Sequence, residues 1–146
     1  MSHAHTLTSD ALPRRTALNI ALWVLQVVLA LMFLTAGIQK AFGNLHEVVK
    51  SIFWVLSVPA PLVRFIGVSE LLGGIGLVLP AALRIKPRLT TLAATGLSLV
   101  MLGANIFHIS RGEFFVLPMT LTFLVVAAFI AYGRWKLVPI KPKSIN

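Results

Sequence analysis

The stretch GVSELLGGIGL, residues 67–77, places a single carboxylate, that of Glu70, in a run of apolar and small residues. It lies within a window from 65 to 83 in which Glu70 is the only charged residue. About 20 mostly apolar residues are enough to cross the hydrocarbon core of a bilayer as a helix. Because an ionised group there costs on the order of 3 kcal/mol, Glu70 requires a partner, a proton or water.

Three further windows have the same character, and all four together predict transmembrane helices. They cover residues 16–39, 89–110 and 114–133, and His108 is their only side chain that titrates near neutral pH. Helices are predicted because an isolated strand cannot satisfy its backbone groups in lipid. The short links force neighbouring helices to be antiparallel. We therefore predict an all-α, polytopic membrane protein with four helices in an antiparallel up-down bundle.

The overall composition supports this class and excludes others. Of the 146 residues, 58% are hydrophobic and only 12% are charged, and the mean hydropathy is +0.91. A soluble domain of this size cannot cover so much apolar surface. The net charge of +9 is distributed between apolar runs, which favours contact with the lipid bilayer over nucleic acid. The absence of cysteine excludes disulfides and thiolate metal sites, and the histidine spacing predicts no metal site.

The distribution of apolar and charged residues divides the chain into three parts. Residues 1–15 are interpreted as a polar, mobile lead, residues 16–137 as the membrane domain, and residues 138–146 as a basic tail. The first apolar run is much longer than the core of a signal peptide, so it is interpreted as an uncleaved span.

The connection between the first two spans predicts a short amphipathic helix at the membrane interface. Asn44 is its candidate N-cap, Glu47 occupies the capping-box position, and apolar residues recur at helical spacing over 45–58. Pro59 and Pro61 end it.

The positive residues predict the orientation in the cell membrane. Nine of them fall on the side that holds both termini, and four fall on the other side. By the positive-inside rule, both termini are predicted to be cytoplasmic. The nine are Arg14, Arg15, Arg84, Lys86, Arg88, Arg134, Lys136, Lys141 and Lys143, and the four are Lys40, Lys50, Arg64 and Arg111.

Four polar residues reach a similar depth on the outer side. Glu70 lies roughly 12 Å inward from the outer end of its span, Lys40 ends the first span, and Asn105 and His108 share a face near the outer end of the third. We predict that these four line an outer-leaflet, ligand-binding polar pocket. Alternatives stay open: Lys40 as an interfacial lysine, His108 as a headgroup contact, and Asn105 as an interhelical hydrogen bond.

Other polar residues receive simpler interpretations. Arg64, Arg111 and Glu113 are interpreted as solvated loop charges, Gln26 as an interhelical hydrogen-bonding group, and Trp54 as part of the outer aromatic belt.

Three stretches carry a family resemblance: FLTAGIQKAF at the end of the first span, IGVSELLGGIGLVLPAALRIKP through the second and TLAATGLSLVMLGANIFHISRGE through the third. Over about residues 18–137 the chain resembles the DoxX-like family of small four-helix membrane proteins. That family takes its name from a subunit of an archaeal thiosulfate:quinone oxidoreductase, and the absence of cysteine argues against thiol-based sulfur chemistry here. The resemblance highlights Gly37, Lys40, Gly67, Glu70, Gly73, Pro80, Asn105 and His108.

These observations lead to one main functional hypothesis and two alternatives. The main hypothesis is a membrane subunit or partner of an oxidoreductase that binds a small lipophilic molecule, with quinone as the candidate, while a redox partner supplies electrons. The first alternative is a small transporter that uses Glu70 as a proton-linked site, which requires a homo-oligomer to form a pathway. The second is a structural or assembly factor. The sequence assigns no catalytic residue.

Overall fold

Four long helices form the described part of the protein. The computed structural model describes residues 11–143, with side chains from residue 14 onward, and these residues contain no strand. The elements are α1 (Ala11–Phe42), the short α2 (Leu45–Val48), α3 (Ala60–Leu83), α4 (Arg88–Ser110) and α5 (Leu117–Tyr132), with 3₁₀ turns at Phe53–Leu56 and Phe114–Val116. Four segments are long and apolar enough to cross a membrane: Arg14–Phe42, Ala60–Leu83, Arg88–Ser110 and Phe114–Leu137. The prediction of an all-α protein with four transmembrane helices is confirmed.

The helices pack in an antiparallel ring. Helix α1 packs mainly on α3, α3 on α4 and α4 on α5, and α5 closes the ring against α1. Lys40, late in α1, contacts Glu70 in the first half of α3, whereas Gln26 bonds to Leu77 further along α3. The bundle therefore has two distinct ends. The connection end carries residues 43–59 and the 111–113 loop, and the terminal end carries the 84–87 loop and both ends of the described chain.

Apolar side chains cover most of the bundle surface. The core between helices contains Leu22, Leu77 and Leu97, while Phe65 and Leu72 are more than 60% exposed. Many other large apolar side chains face outward on all four long helices. A surface of this kind is stable only against lipid tails, because water would not tolerate such extensive apolar exposure.

The helices α1 and α3 approach closely at two glycines. A Cβ atom built on Gly37 would lie 2.9 Å from the backbone oxygen of Gly67, and one built on Gly67 would lie 2.5 Å from the backbone nitrogen of Ala41. Small residues allow such backbone contact between transmembrane helices. This contact brings the end of α1 against the start of α3.

The connection differs from the continuous helix predicted over 45–58. Asn44 caps α2 as predicted, since its Oδ1 accepts from the backbone N–H of His46 at 3.1 Å, but α2 ends after one turn and Phe53–Leu56 forms a separate 3₁₀ turn. Glu47 pairs with Lys50 instead of completing the capping box. The reason is tertiary packing: a second core of Val48, Val55 and Val63 folds this segment back against α3.

The terminal end also departs from the predicted boundaries. Helix α1 already begins at Ala11, so only residues 1–10 of the proposed lead lie outside the described residues. Beyond α5, Gly133–Leu137 forms a π-helical turn. The tail then crosses the end of the bundle, where the backbone N–H of Lys143 donates to the carbonyl of Arg84 at 3.0 Å.

Candidate functional site

A buried ion pair joins two of the predicted site residues at the connection end. The Nζ atom of Lys40, in the last turn of α1, lies 2.5 Å from Oε1 of Glu70 in α3. The two residues are only 5% and 2% exposed. Removing two charges from water is costly, and the mutual attraction of such a pair offsets that cost when the geometry is good. Glu70 is therefore buried with Lys40 as its counter-ion.

The second oxygen of this carboxylate lacks a donor. Oε2 of Glu70 is buried and has no hydrogen-bond partner among residues 11–143. A carboxylate oxygen that has lost its water without gaining a donor is energetically unfavourable, by roughly 1–3 kcal/mol or more for a charged group. A hydrogen-bond donor placed beside Oε2 would recover that energy.

The local sequence explains how Lys40 reaches Glu70. Gly67 lies about one turn before Glu70, and a Cβ atom on it would be 2.8 Å from the Cβ of Lys40. Arg64, another turn earlier, donates from Nη1 to the carbonyls of Lys40 and Gly43, both at 2.8 Å. These carbonyls belong to the end of α1, where no further turn can satisfy them. Arg64 is thus a helix-capping group, and its interpretation as a solvated loop charge is wrong.

Trp54, in the connection, packs on the Lys40 member of the ion pair. The Nζ atom of Lys40 lies 5.6 Å from the centre of the Trp54 ring, a cation–π distance. The same ring makes edge contacts with Phe107 and His108, at centroid distances of 5.9 and 6.4 Å. Trp54 is therefore the group that joins the Lys40–Glu70 pair to the end of α4.

His108 is buried and pairs with a different acid. Its Nδ1 lies 2.7 Å from Oε2 of Glu113, and Arg111 donates from Nε to Oε1 at 2.7 Å. The hydrogen bond from His108, followed by that from Arg111, lowers the pKa of Glu113 below its ordinary value of 4.5. Arg111 is exposed, in agreement with its interpretation as a solvated loop charge, but it is paired with Glu113, which is mostly covered and also bonds to His108. In the described part of the chain, His108 forms no hydrogen bond or ion pair with Glu70.

Asn105 lies one turn deeper in the bundle than His108, and both the nitrogen and the oxygen of its amide form hydrogen bonds there. Its Nδ2 donates to the carbonyl of Met101 at 2.7 Å, and its Oδ1 accepts from the hydroxyl of Thr120 in α5 at 2.8 Å. The alternative interpretation, an interhelical hydrogen bond, describes what Asn105 does in this structure. Contact of Asn105 with a ligand stays a prediction.

The region holding these groups matches a family model described as the DoxX-like family, over residues 24–139. The match covers most of the chain. The protein belongs to the DoxX-like family. No curated protein and no solved structure matches it. The resemblance inferred from the sequence is thus confirmed at the level of the family and of the four-helix membrane fold.

A second buried polar cluster of this DoxX-like protein lies near the terminal end. Arg134 is 4% exposed and donates from Nε to Oε1 of Gln26 at 2.5 Å and from Nη1 to Oδ1 of Asn19 at 2.6 Å. Gln26 in turn donates to the carbonyl of Leu77 at 2.6 Å, which confirms its predicted interhelical role.

Sequence reasoning placed Arg134 among the cytoplasmic flanking charges and missed this cluster. One signal was present: Asn19 and Gln26 are seven residues apart and share a helix face, so two polar groups inside an apolar span required a common partner.

Two surface cavities of the DoxX-like protein lie toward the terminal end. Neither is lined by Glu70, Lys40, Asn105 or His108. Among residues 11–143, no group of three or more His, Cys, Asp or Glu side chains is placed to hold a metal ion. Lys40, Glu70, Asn105 and His108 are each 5% exposed or less, so the connection-end site is a buried polar cluster, with Trp54 packed on Lys40 and His108.

Proposed function

We propose that this DoxX-like protein is a membrane subunit or partner of an oxidoreductase and binds a small lipophilic molecule, such as a quinone, at Glu70. The observation that supports the proposal is that Oε2 of Glu70 is buried next to the Lys40 ammonium and has no hydrogen-bond partner in the part of the chain that the structure describes. An intramembrane ionisable residue is by default a functional candidate.

The chemistry of the pair suits the polar end of a quinone or quinol. The Lys40 ammonium carries three N–H donors, one of which is directed at Glu70, so another is suited to a carbonyl oxygen. Oε2 of Glu70 is an acceptor suited to a quinol hydroxyl. The aromatic side chains of Phe53, Trp54 and Phe107 lie close to His108 on the same side. A ring-shaped, largely apolar ligand matches this combination.

Access to the site requires movement of the connection. Trp54 covers Lys40, and its 3₁₀ turn is attached to the bundle through the small core around Val55. This turn has no long regular helix to hold it, since α2 ends at Val48. Displacement of Trp54 would uncover the Lys40 ammonium and open a route to the pair. In this proposal the partner oxidoreductase supplies electrons, and Lys40 and Glu70 bind and orient the ligand.

The experiment compares quinone retention in three forms of the protein. Wild type, Glu70→Gln and the double variant Lys40→Met/Glu70→Leu are purified in mild detergent, and bound quinone is measured by mass spectrometry and by titration with a short-chain quinone. Loss of a hydrogen bond to a charged group predicts roughly tenfold to hundredfold weaker binding in Glu70→Gln. The double variant removes the site without leaving a buried unpaired charge, so it should remain folded and bind no quinone.

Glu47→Gln is the matched control, because it removes an exposed acid at the same end of the bundle. Equal quinone binding by wild type and the double variant would contradict the proposal. Glu70-dependent proton flux in proteoliposomes without quinone binding would favour the transporter alternative. If the double variant binds quinone as wild type does and no Glu70-dependent proton flux is found, the Lys40–Glu70 pair has only a structural role.

A further inference from the structure

A basic groove lies at the terminal end, away from the Lys40–Glu70 pair. This terminal groove is a cavity of about 1070 Å³ between the 84–87 loop, the start of α4, the π-helical turn and residues 139–142. Lys86, Arg88, Arg134 and Lys141 line it, and no acidic side chain does. The three acidic side chains of the described residues, Glu47, Glu70 and Glu113, all lie at or toward the other end. Among the described residues, the positive charge that lines the groove therefore has no acidic partner.

Arg134 is the most strongly constrained of these cations. Its hydrogen bonds go to neutral oxygens of Gln26, Asn19 and Val138, and its Nη2 atom is buried without a partner among the described residues. A buried charge without a counter-ion is costly. Because Arg134 also lines the terminal groove, an anion bound there would supply the missing negative charge.

A second cavity continues the terminal groove along the side of the bundle. This apolar groove has a volume of about 300 Å³ and shares Thr91, Thr95 and Trp135 with the terminal groove. It continues to Leu99 in α4 and Ala128 in α5. From Thr91 to Leu99 the groove extends about 12 Å along the helix axis, toward the middle of the bilayer. Its size and direction suit a hydrocarbon chain.

We propose that the two grooves together bind an anionic phospholipid, with the phosphate headgroup in the terminal groove and one acyl chain in the apolar groove. Phosphate oxygens are acceptors for the guanidinium and ammonium groups, and basic clusters at helix ends are suited to anionic headgroups. A soluble anion would use only the terminal groove, so the adjoining apolar groove favours a lipid. This site is separate from the site at Glu70.

The first test measures lipid selectivity. The full-length protein is reconstituted into vesicles of equal parts phosphatidylglycerol and phosphatidylcholine, extracted mildly, and examined by native mass spectrometry. Wild type should retain phosphatidylglycerol in preference to phosphatidylcholine. Because a Lys or Arg near anionic lipid contributes about fivefold to binding, Arg88→Gln/Lys141→Gln should weaken that retention about 25-fold. These two side chains are used because Arg134→Gln would also disturb the bonds to Gln26 and Asn19.

Arg15→Gln is the control, since it removes a charge at the same end from a residue outside the groove. Arg15→Gln should have little effect. The proposal would be overturned if wild type showed no preference for phosphatidylglycerol. It would also be overturned if Arg88→Gln/Lys141→Gln and Arg15→Gln retained phosphatidylglycerol equally.

The second test separates a lipid from a free anion. Ala128→Trp fills the apolar groove, whereas Val125→Trp places the same ring on an exposed part of α5 outside it. Only Ala128→Trp should reduce phosphatidylglycerol retention. Inorganic phosphate should not displace the lipid at comparable concentration. Equal effects of the two tryptophan variants, or ready displacement by inorganic phosphate, would show a site for free anions and overturn the lipid assignment.

Discussion

At the connection end, two single residues, Lys40 and Glu70, each depend on the other to remain charged while buried. Lys40 and Glu70 are both almost fully buried and lie 2.5 Å apart. Burial makes each charge dependent on the other, because the attraction between them replaces the lost hydration. The pair is therefore expected to behave as a unit toward substitution.

Lys40→Met should destabilise the bundle by about 3–5 kcal/mol, because it leaves the Glu70 carboxylate buried without a cation. Adding Glu70→Leu should restore most of that stability, since apolar replacement of both members of a buried pair is often neutral. Unfolding in detergent, monitored by circular dichroism, would measure the stability of the single and the double variant. Lys50→Met, which breaks the exposed pair with Glu47, is the control and should cost less than about 1 kcal/mol. Similar losses in the single and double variants would contradict this coupling.

Pairs of helices owe their spacing to particular small residues. Helices α1 and α3 come into backbone contact at Gly37 and Gly67, next to the ion pair. A glycine that faces lipid instead has no packing role. The same residue type thus has two different consequences within one bundle.

Gly67→Ala should force α1 and α3 apart, because the added methyl group would meet the backbone of Ala41 at 2.5 Å. We expect a loss of about 1–3 kcal/mol in unfolding free energy, as for other overpacked sites. The matched control is Gly103→Ala in α4, where a Cβ atom meets nothing within 4 Å. That variant should be neutral or slightly stabilising, since alanine favours helix. Equal stability of the two variants would refute the role of the close contact.

The elements also show where sequence reasoning succeeds and where it fails. Hydropathy and length located all four spans, and depth along the helices placed Lys40 near Glu70. The connection was mispredicted, because the packing of Val48 and Val55 against α3 depends on tertiary contacts that periodicity does not contain.

The partners of charged residues at the ends of the spans were still harder to predict from the sequence. A cation at that position has the same sequence appearance whether it faces headgroups or turns inward. Arg64 caps α1 and Arg134 bonds to Gln26, and both outcomes depend on how neighbouring helices are rotated.

At the scale of the whole molecule, the two ends differ in charge and in structure. The connection end contains paired charges, whereas the terminal end contains a basic groove without acids among its lining residues. By the positive-inside rule, the terminal end is predicted to face the cytoplasm.

Cysteine labelling would test this orientation, because the native chain contains no cysteine. Lys50→Cys places an exposed thiol at the connection end, and Ile85→Cys places one at the terminal end. A membrane-impermeant maleimide added to intact cells should label position 50 and should label position 85 only after permeabilisation. The reverse pattern would show that the protein has the opposite orientation.

The contact between Arg134 and Gln26 has a consequence for biosynthesis. These residues are separated by 108 positions in the chain, yet they form one buried hydrogen bond. When α1 enters the membrane, Gln26 and Asn19 have not yet met their guanidinium partner, because the ribosome has still to translate the codon for Arg134. The side-chain amides of Asn19 and Gln26 in α1 therefore lack these hydrogen bonds until α5 and the turn that follows it have inserted. This buried cluster can therefore form only after the chain has been synthesised as far as Arg134.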